Sequence, residues 1–153
     1  MRTAILILSL VVFASCSKDK FTNEPQLEFK RFDRDQWVGT IFTTQEPPHM
    51  IVEVTDGDGD LGFIAGQDTA FVYLKNLLNG DTDSLAFPNL ASAAKKNFKA
   101  DIEISIASVM TGRPGNPPRP YIDTLYFEVY VKDFAKNKSN VVLTSEPFYL
   151  ITP

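Results

Sequence analysis

The sequence of 153 residues is poor in side chains that carry common catalytic chemistry, with one cysteine, one histidine and one tryptophan. Because Cys16 is the sole cysteine, no disulfide bond can form within the chain. No serine stands in a G-x-S-x-G elbow, and no glycine-rich phosphate-binding loop is present. His49 follows two prolines in an expected loop, where a lone histidine is usually solvated. We therefore predict that the protein is not an enzyme.

The chain also lacks basic clusters, and beyond its N-terminus it lacks long apolar runs. Its formal net charge is −4 at pH 7, with 15 basic and 19 acidic residues. A mildly acidic chain of this kind is unsuited to binding the phosphate backbone of nucleic acid. No later segment reaches the roughly 20 apolar residues that a membrane-spanning helix needs. The length suits one domain with its own hydrophobic core.

The N-terminus has the organisation of an export signal. Arg2 precedes an apolar run over residues 4–13 in which Ser9 is the one polar residue. The run is too short to span a bilayer, which needs roughly 20 apolar residues. Small residues then precede Cys16, as in the lipobox of lipoproteins, where the thiol is acylated and the chain is cleaved before it. We predict a signal peptide over 1–15, a lipid on Cys16, a tether over 16–24 and a domain over 25–153. The acyl chains would attach the protein to a membrane.

After Pro25 the pattern favours β-strands. The clearest is 123–133, in which Leu125, Phe127, Val129 and Val131 share one face and polar or aromatic residues the other. Further strands are predicted over 26–32, 50–55, 69–75, 83–87, 101–107 and 140–151, the last split or at a sheet edge because of Pro147. We expect one short helix over 90–98. Seven strands predict an all-β fold, an antiparallel immunoglobulin-like β-sandwich, with a barrel as the alternative.

The most specific motif is DGDGDLG at 56–62, directly after a predicted strand. Alternating glycines allow tight curvature, so Asp56, Asp58 and Asp60 come close together. Carboxylate oxygens are the ligands that Ca²⁺ prefers. Counted from Asp56, Leu61 and Gln67 stand where an EF-hand needs Gly and Glu, so that motif is excluded. Asp-Gly runs also form β-turns without any ion, and this alternative stays open.

A second loop, 133–140, supplies more oxygen ligands. In an immunoglobulin-like sandwich the loops after the second and sixth strands open at the same end, which would bring Asp133 and Asn137 beside Asp56, Asp58 and Asp60. Asp68 is a further candidate carboxylate close by in sequence. We therefore predict a Ca²⁺ site formed by residues of these two loops.

The two segments also carry a family resemblance. DGDGDLG at 56–62 and the D-x-A-x-x-x-S-N segment at 133–140 resemble a group of Bacteroidetes lipoproteins with an immunoglobulin-like domain and no assigned activity. The resemblance implies an outer-membrane lipoprotein, and residues 17–19 (SKD) are similar to the signal that sends such proteins to the cell surface.

Two classes of function follow from these features. The first is a non-catalytic envelope module that binds a protein or a glycan, with Ca²⁺ stabilising its loops. Trp37, Phe42, Tyr126 and Tyr130 are candidates for a flat binding face, although Trp37 alternatively packs at the edge of the sandwich. The second class is a small metal-dependent hydrolase that uses the acidic loop. A deep pocket where Asp58, Asp133 and His49 converge would favour the hydrolase.

Overall fold

The computed structural model describes residues 20–39, 45–62, 69–87 and 96–153. Within these ranges the chain forms strands and no helix, so none of its described elements is a helix that could cross a membrane. The strands are β1 (Gln26–Phe32), β2 (Gln36–Val38), β3 (His49–Asp56), β4 (Phe71–Asn76), β5 (Thr82–Ala86), β6 (Phe98–Ser105), β7 (Tyr121–Leu125), β8 (Phe127–Lys132), β9 (Val142–Leu143) and β10 (Phe148–Thr152).

The all-β prediction is confirmed, and the architecture is a β-sandwich. One layer is the sheet β1-β3-β6, and the other contains β5-β4-β8-β9 and the sheet β2-β10-β7. Every pairing is antiparallel except the parallel pair of β2 and β10. β7 and β8 are separated only by Tyr126, where the chain changes partner from β10 to β4. The immunoglobulin-like topology stays a prediction.

The core lies between the layers. The four residues predicted to face inward on the clearest strand, from Leu125 to Val131, are all fully buried. Phe32 of β1 crosses the interior and meets Phe127 and Phe148 edge-on, with ring centroids 6.1 and 5.4 Å away. Such edge-to-face contacts add to the free energy of apolar burial. The alternation of apolar and polar side chains along a segment therefore indicates both that it is a strand and which of its faces is buried.

Seven predicted strands become ten for identifiable reasons. The segment 123–133 is divided into β7 and β8, and the segment 140–151 into β9 and β10, with Pro147 between the latter two. β2 has three residues, too few for an alternation signal, and it depends on pairing with β10. Of the predicted helix at 90–98, residues 90–95 lie outside the described ranges, and Phe98 already belongs to β6.

The strand register defines two ends of the sandwich. The first residues of β1 and β6 lie beside the last residues of β3, and the first residue of β4 lies beside the last residue of β8. The described segments at this end include 20–25, 56–62, 96–97 and 133–137, and these four together we name the acidic pole. The opposite end, named the distal pole, contains the turn 77–81 and the loop 106–120.

Candidate metal centre

The acidic loop leaves the last residue of β3 and brings three carboxylates together. One oxygen from each of Asp56, Asp58 and Asp60 lies within 4.8 Å of the other two. Asp56 is fully buried, Asp60 is partly buried and Asp58 is exposed. The cluster therefore extends from the protein interior to the surface, as an ion entering from solvent would require.

The carboxylate of Asp56 is only partly satisfied. Its Oδ2 accepts hydrogen bonds from the backbone N–H groups of Gly59 and Asp60, at 2.8 and 3.2 Å. Its Oδ1 is buried and accepts no hydrogen bond from any described residue. Burial raises the pKa of Asp56 to about 7, and the neighbouring carboxylates of Asp58 and Asp60 act in the same direction. A buried charge without compensation is costly, so the group holds its proton more tightly.

Asp60 connects the acidic loop to the segment after β8. Its backbone carbonyl oxygen accepts the N–H of Phe134 at 3.1 Å, and its Oδ2 accepts the N–H of Ala135 at 3.1 Å. Its Oδ1 is buried and has no partner among the described residues. Burial raises the pKa of Asp60 to about 6, and the charges of Asp133 and Asp58 contribute to this increase.

Asp133 and Asn137 lie beside the cluster rather than within it. Asp133 is fully buried, and each of its carboxylate oxygens accepts a hydrogen bond from Asn137, from the backbone N–H at 2.7 Å and from Nδ2 at 2.9 Å. These bonds shape the loop that supplies Phe134 and Ala135 to Asp60. The structure thus brings three of the five predicted ligands together, with the other two supporting them. Asp68 lies outside the described residues.

The chemistry of this arrangement fits a hard divalent cation. Asp56 and Asp60, two of the three carboxylates of the cluster, each have one buried oxygen that no described residue supplies with a hydrogen-bond donor. Ca²⁺ takes six to eight oxygens at roughly 2.3–2.6 Å, and flexible Asp-rich loops commonly supply them. Asp60 Oδ2 accepts one hydrogen bond among the described residues and keeps a second lone pair for such an ion.

The loop also holds the tether, a contact that the sequence interpretation missed. The N–H of Gly57 donates to the carbonyl oxygen of Thr22 at 2.7 Å, and a Cβ at position 57 would lie 2.6 Å from the carbonyl oxygen of Phe21. Asn97 completes the contact, because its Oδ1 accepts the N–H groups of Lys20 and Phe21 and its own N–H donates to Gly57. Asn97 has φ of +60°, a conformation that asparagine tolerates better than most residues. The sequence signal available for this contact was Asn97, a residue type that favours turns, just before the strand β6.

The residues proposed for a hydrolase do not converge. His49 is the first residue of β3 and Asp56 the last, so they are about 23 Å apart at roughly 3.3 Å per residue. His49 instead neighbours Asp33, with Nδ1 3.5 Å from Oδ2, at the far end of the strand. The pocket that would have favoured a hydrolase is therefore not formed by these three residues.

The three described residues of the predicted flat aromatic face, Trp37, Tyr126 and Tyr130, do not form one surface. Trp37 is 8% exposed and belongs to the core, which agrees with the alternative that it packs within the sandwich. Tyr130 stacks on Tyr73 with ring centroids 4.7 Å apart, and Lys138 Nζ lies 4.1 Å from its centroid. Tyr126 instead lines a groove of about 560 Å³ with Leu77, Leu78 and Leu143. Phe42 lies outside the described residues.

Comparisons with protein families, with curated proteins and with solved structures found no match to this chain.

Proposed function

We propose that the protein is a non-catalytic, lipid-anchored module of the outer membrane in which Ca²⁺ at the acidic pole stabilises the loops. The observation that carries the proposal is the pair of buried carboxylate oxygens, Asp56 Oδ1 and Asp60 Oδ1, that accept no hydrogen bond from the described residues. Native proteins rarely bury polar atoms without a partner. A cation between these oxygens removes that cost and opposes the mutual repulsion of the carboxylates.

Ca²⁺ is favoured over other common metals by the type of ligand. The cluster consists of carboxylate oxygens on a loop with three glycines, and the described residues around it contribute no histidine or cysteine ligand. Zinc and copper sites usually use nitrogen or sulfur, whereas Mg²⁺ demands a stricter octahedral geometry. The ion would bridge the end of β3 and, through Asp60, the loop after β8.

The anchor is supported by the N-terminal sequence. Cys16 follows an apolar run of signal-peptide length and lies four residues before Lys20, the first residue that the structure describes. A lipid on this cysteine leaves the chain without a thiol for a disulfide bond. Stabilisation by an ion would therefore replace the stabilisation that a disulfide often gives an exported domain.

The hydrolase is not retained as a second candidate. Its three residues are divided between the two ends of β3, and Asp133 has both of its carboxylate oxygens bonded to Asn137. A partner in the envelope, protein or glycan, suits a non-catalytic module with one end tied to a membrane. Cross-linking of the intact lipoprotein in its own membrane, followed by identification of what is attached, would define that partner.

The anchor and the ion are tested separately. Cells supplied with radioactive fatty acid should label the wild-type chain and leave a Cys16→Ala chain unlabelled, and label on the Cys16→Ala chain would contradict the anchor. Thermal unfolding of the purified protein should shift to higher temperature with Ca²⁺ and return on addition of EDTA. An unchanged transition at millimolar Ca²⁺ would contradict the ion site.

A further inference from the structure

The tether and the acidic loop form one unit at the acidic pole. Thr22 accepts a hydrogen bond from Gly57, and Asn97 holds the backbone of Lys20 and Phe21. The close approach of this backbone to Gly57 leaves no room for a side chain there. The path of the chain toward Cys16 therefore leaves the domain beside the carboxylate cluster.

Chain length limits how far this pole can lie from a lipid on Cys16. Four residues separate Cys16 from Lys20, and a fully extended chain covers at most about 3.6 Å per residue, or roughly 14 Å in total. The distal pole is further away by the length of the strands, since β3 alone covers about 23 Å at roughly 3.3 Å per residue. A lipid anchor would thus hold the acidic pole, rather than the distal pole, near the bilayer.

The charges at the acidic pole suit the surface of a membrane once the ion is bound. Lys20, Lys96 and Lys136 are exposed there, on the tether, on the turn before β6 and on the loop after β8. Lysines near a bilayer attract anionic headgroups. The carboxylates of the cluster and of the exposed Glu24 would oppose this attraction, and a divalent cation bound in the cluster would neutralise part of the negative charge.

We propose that the acidic pole is the membrane-facing surface of the domain, with Lys20, Lys96 and Lys136 against the anionic headgroups of the lipid layer. The inference rests on the proposed lipid anchor at Cys16 and adds the orientation of the domain on the membrane. The distal pole is then the end presented away from the membrane.

The orientation is testable with the full-length lipoprotein in vesicles. Because the thiol of Cys16 is acylated, a cysteine introduced elsewhere is the only reactive thiol. We would introduce Lys136→Cys at the acidic pole or Asn116→Cys in the exposed distal loop, and attach the same fluorophore to each. Vesicles would contain phosphatidylglycerol and a lipid with a nitroxide on its headgroup, in the presence of Ca²⁺.

The label at position 136 should be quenched several-fold more strongly than the label at position 116. Equal quenching, or stronger quenching at position 116, in vesicles that retain the protein on flotation would overturn the orientation and leave the anchor intact. Failure of the protein to float with vesicles would overturn the anchor and the orientation together.

With the label at 136, Lys20→Gln and Lys96→Gln together should reduce the quenching in phosphatidylglycerol vesicles. Arg119→Gln at the distal pole is the matched control and should not change it, and equal effects would overturn the role of the lysines.

Discussion

Phe134 donates its backbone N–H to the carbonyl oxygen of Asp60 at 3.1 Å, which joins two loops that are more than 70 residues apart in the sequence. The next N–H, of Ala135, reaches the side chain of the same aspartate. The acidic loop is therefore held from two sides, by the loop after β8 and by the tether at Gly57. An ion in the carboxylate cluster would stabilise all three segments at once.

Asp56→Asn separates the effect of the ion from that of the fold. Asparagine keeps the size and, with its amide oxygen in the place of Oδ2, can still accept the N–H groups of Gly59 and Asp60. It lacks the charge, so the stabilisation by Ca²⁺ should be lost. At a Ca²⁺ concentration of about 100 times Kd the wild type gains about 2.7 kcal/mol, and the variant should gain almost none. In EDTA the variant should be at least as stable as the wild type, because an uncharged amide replaces the buried carboxylate at position 56. Asp101→Asn, on an exposed position of β6, is the control and should keep the full response. Chemical unfolding with and without Ca²⁺ measures both.

The metal-free protein should lose stability as pH rises. Burial raises the pKa of Asp56 from its ordinary value of 3.8 to about 7, so the folded state binds this proton more tightly than the unfolded state. The resulting stabilisation is complete below about pH 4 and disappears as pH rises through 7. The difference in free energy of unfolding between wild type and Asp56→Asn, measured in EDTA from pH 4 to 8, isolates this group. A difference that does not vary with pH would contradict the burial of Asp56.

Gly57→Ala should release the tether. The added Cβ would lie 2.6 Å from the carbonyl oxygen of Phe21, so the backbone of the tether must move, at a cost of about 1–3 kcal/mol. Cleavage by trypsin after Lys20 should become faster, because this peptide bond loses its contacts with Asn97. Gly115→Ala is the control, because it strains the backbone of the distal loop, where φ is +95°, without bringing a Cβ within 4 Å of any atom. Equal rates of cleavage after Lys20 in both variants would contradict the docking of the tether on Gly57.

Arg113→Met should destabilise the distal pole. Asp123 is fully buried on β7, and it accepts hydrogen bonds from the Arg113 side chain and, at 3.1 Å, from the Arg113 backbone N–H. Without the guanidinium, the buried carboxylate of Asp123 keeps only the backbone N–H of Arg113 from these two donors. We expect the free energy of unfolding to fall by about 2 kcal/mol. Arg119→Met, at an exposed residue of the same loop, should change the free energy of unfolding by less than about 0.5 kcal/mol. Urea unfolding of both variants makes the comparison.

The strands were predictable where alternation is strong. Residues of β8 alternate strictly between apolar and polar or aromatic, and the burial pattern follows this alternation without exception. The change of partner at Tyr126 was not predictable, because it depends on which strand, β4 or β10, lies alongside. β2 was missed for the same reason, since three residues acquire their strand geometry from β10.

The proximity of Asp56, Asp58 and Asp60 was predictable, whereas the burial of each carboxylate was not. The Asp-Gly spacing indicated that Asp56, Asp58 and Asp60 come together. Asp133 was expected near them only if the strands follow an immunoglobulin-like topology, which stays a prediction. The sequence gives no sign that Asp56 is fully buried while Asp58 is exposed, because burial depends on the loops that cover the end of β3. The contact of Thr22 with Gly57 was not predictable either, because it depends on a turn at Asn97, within the segment 90–98 for which the sequence predicts a helix.

Calorimetric titration of Ca²⁺ into the EDTA-treated and then dialysed protein tests the ion site most directly. The account predicts heat of binding for about one ion per chain, with the heat absent in Asp56→Asn and preserved in Asp101→Asn. Absence of heat in the wild type up to millimolar Ca²⁺, together with an unchanged melting temperature, would contradict it.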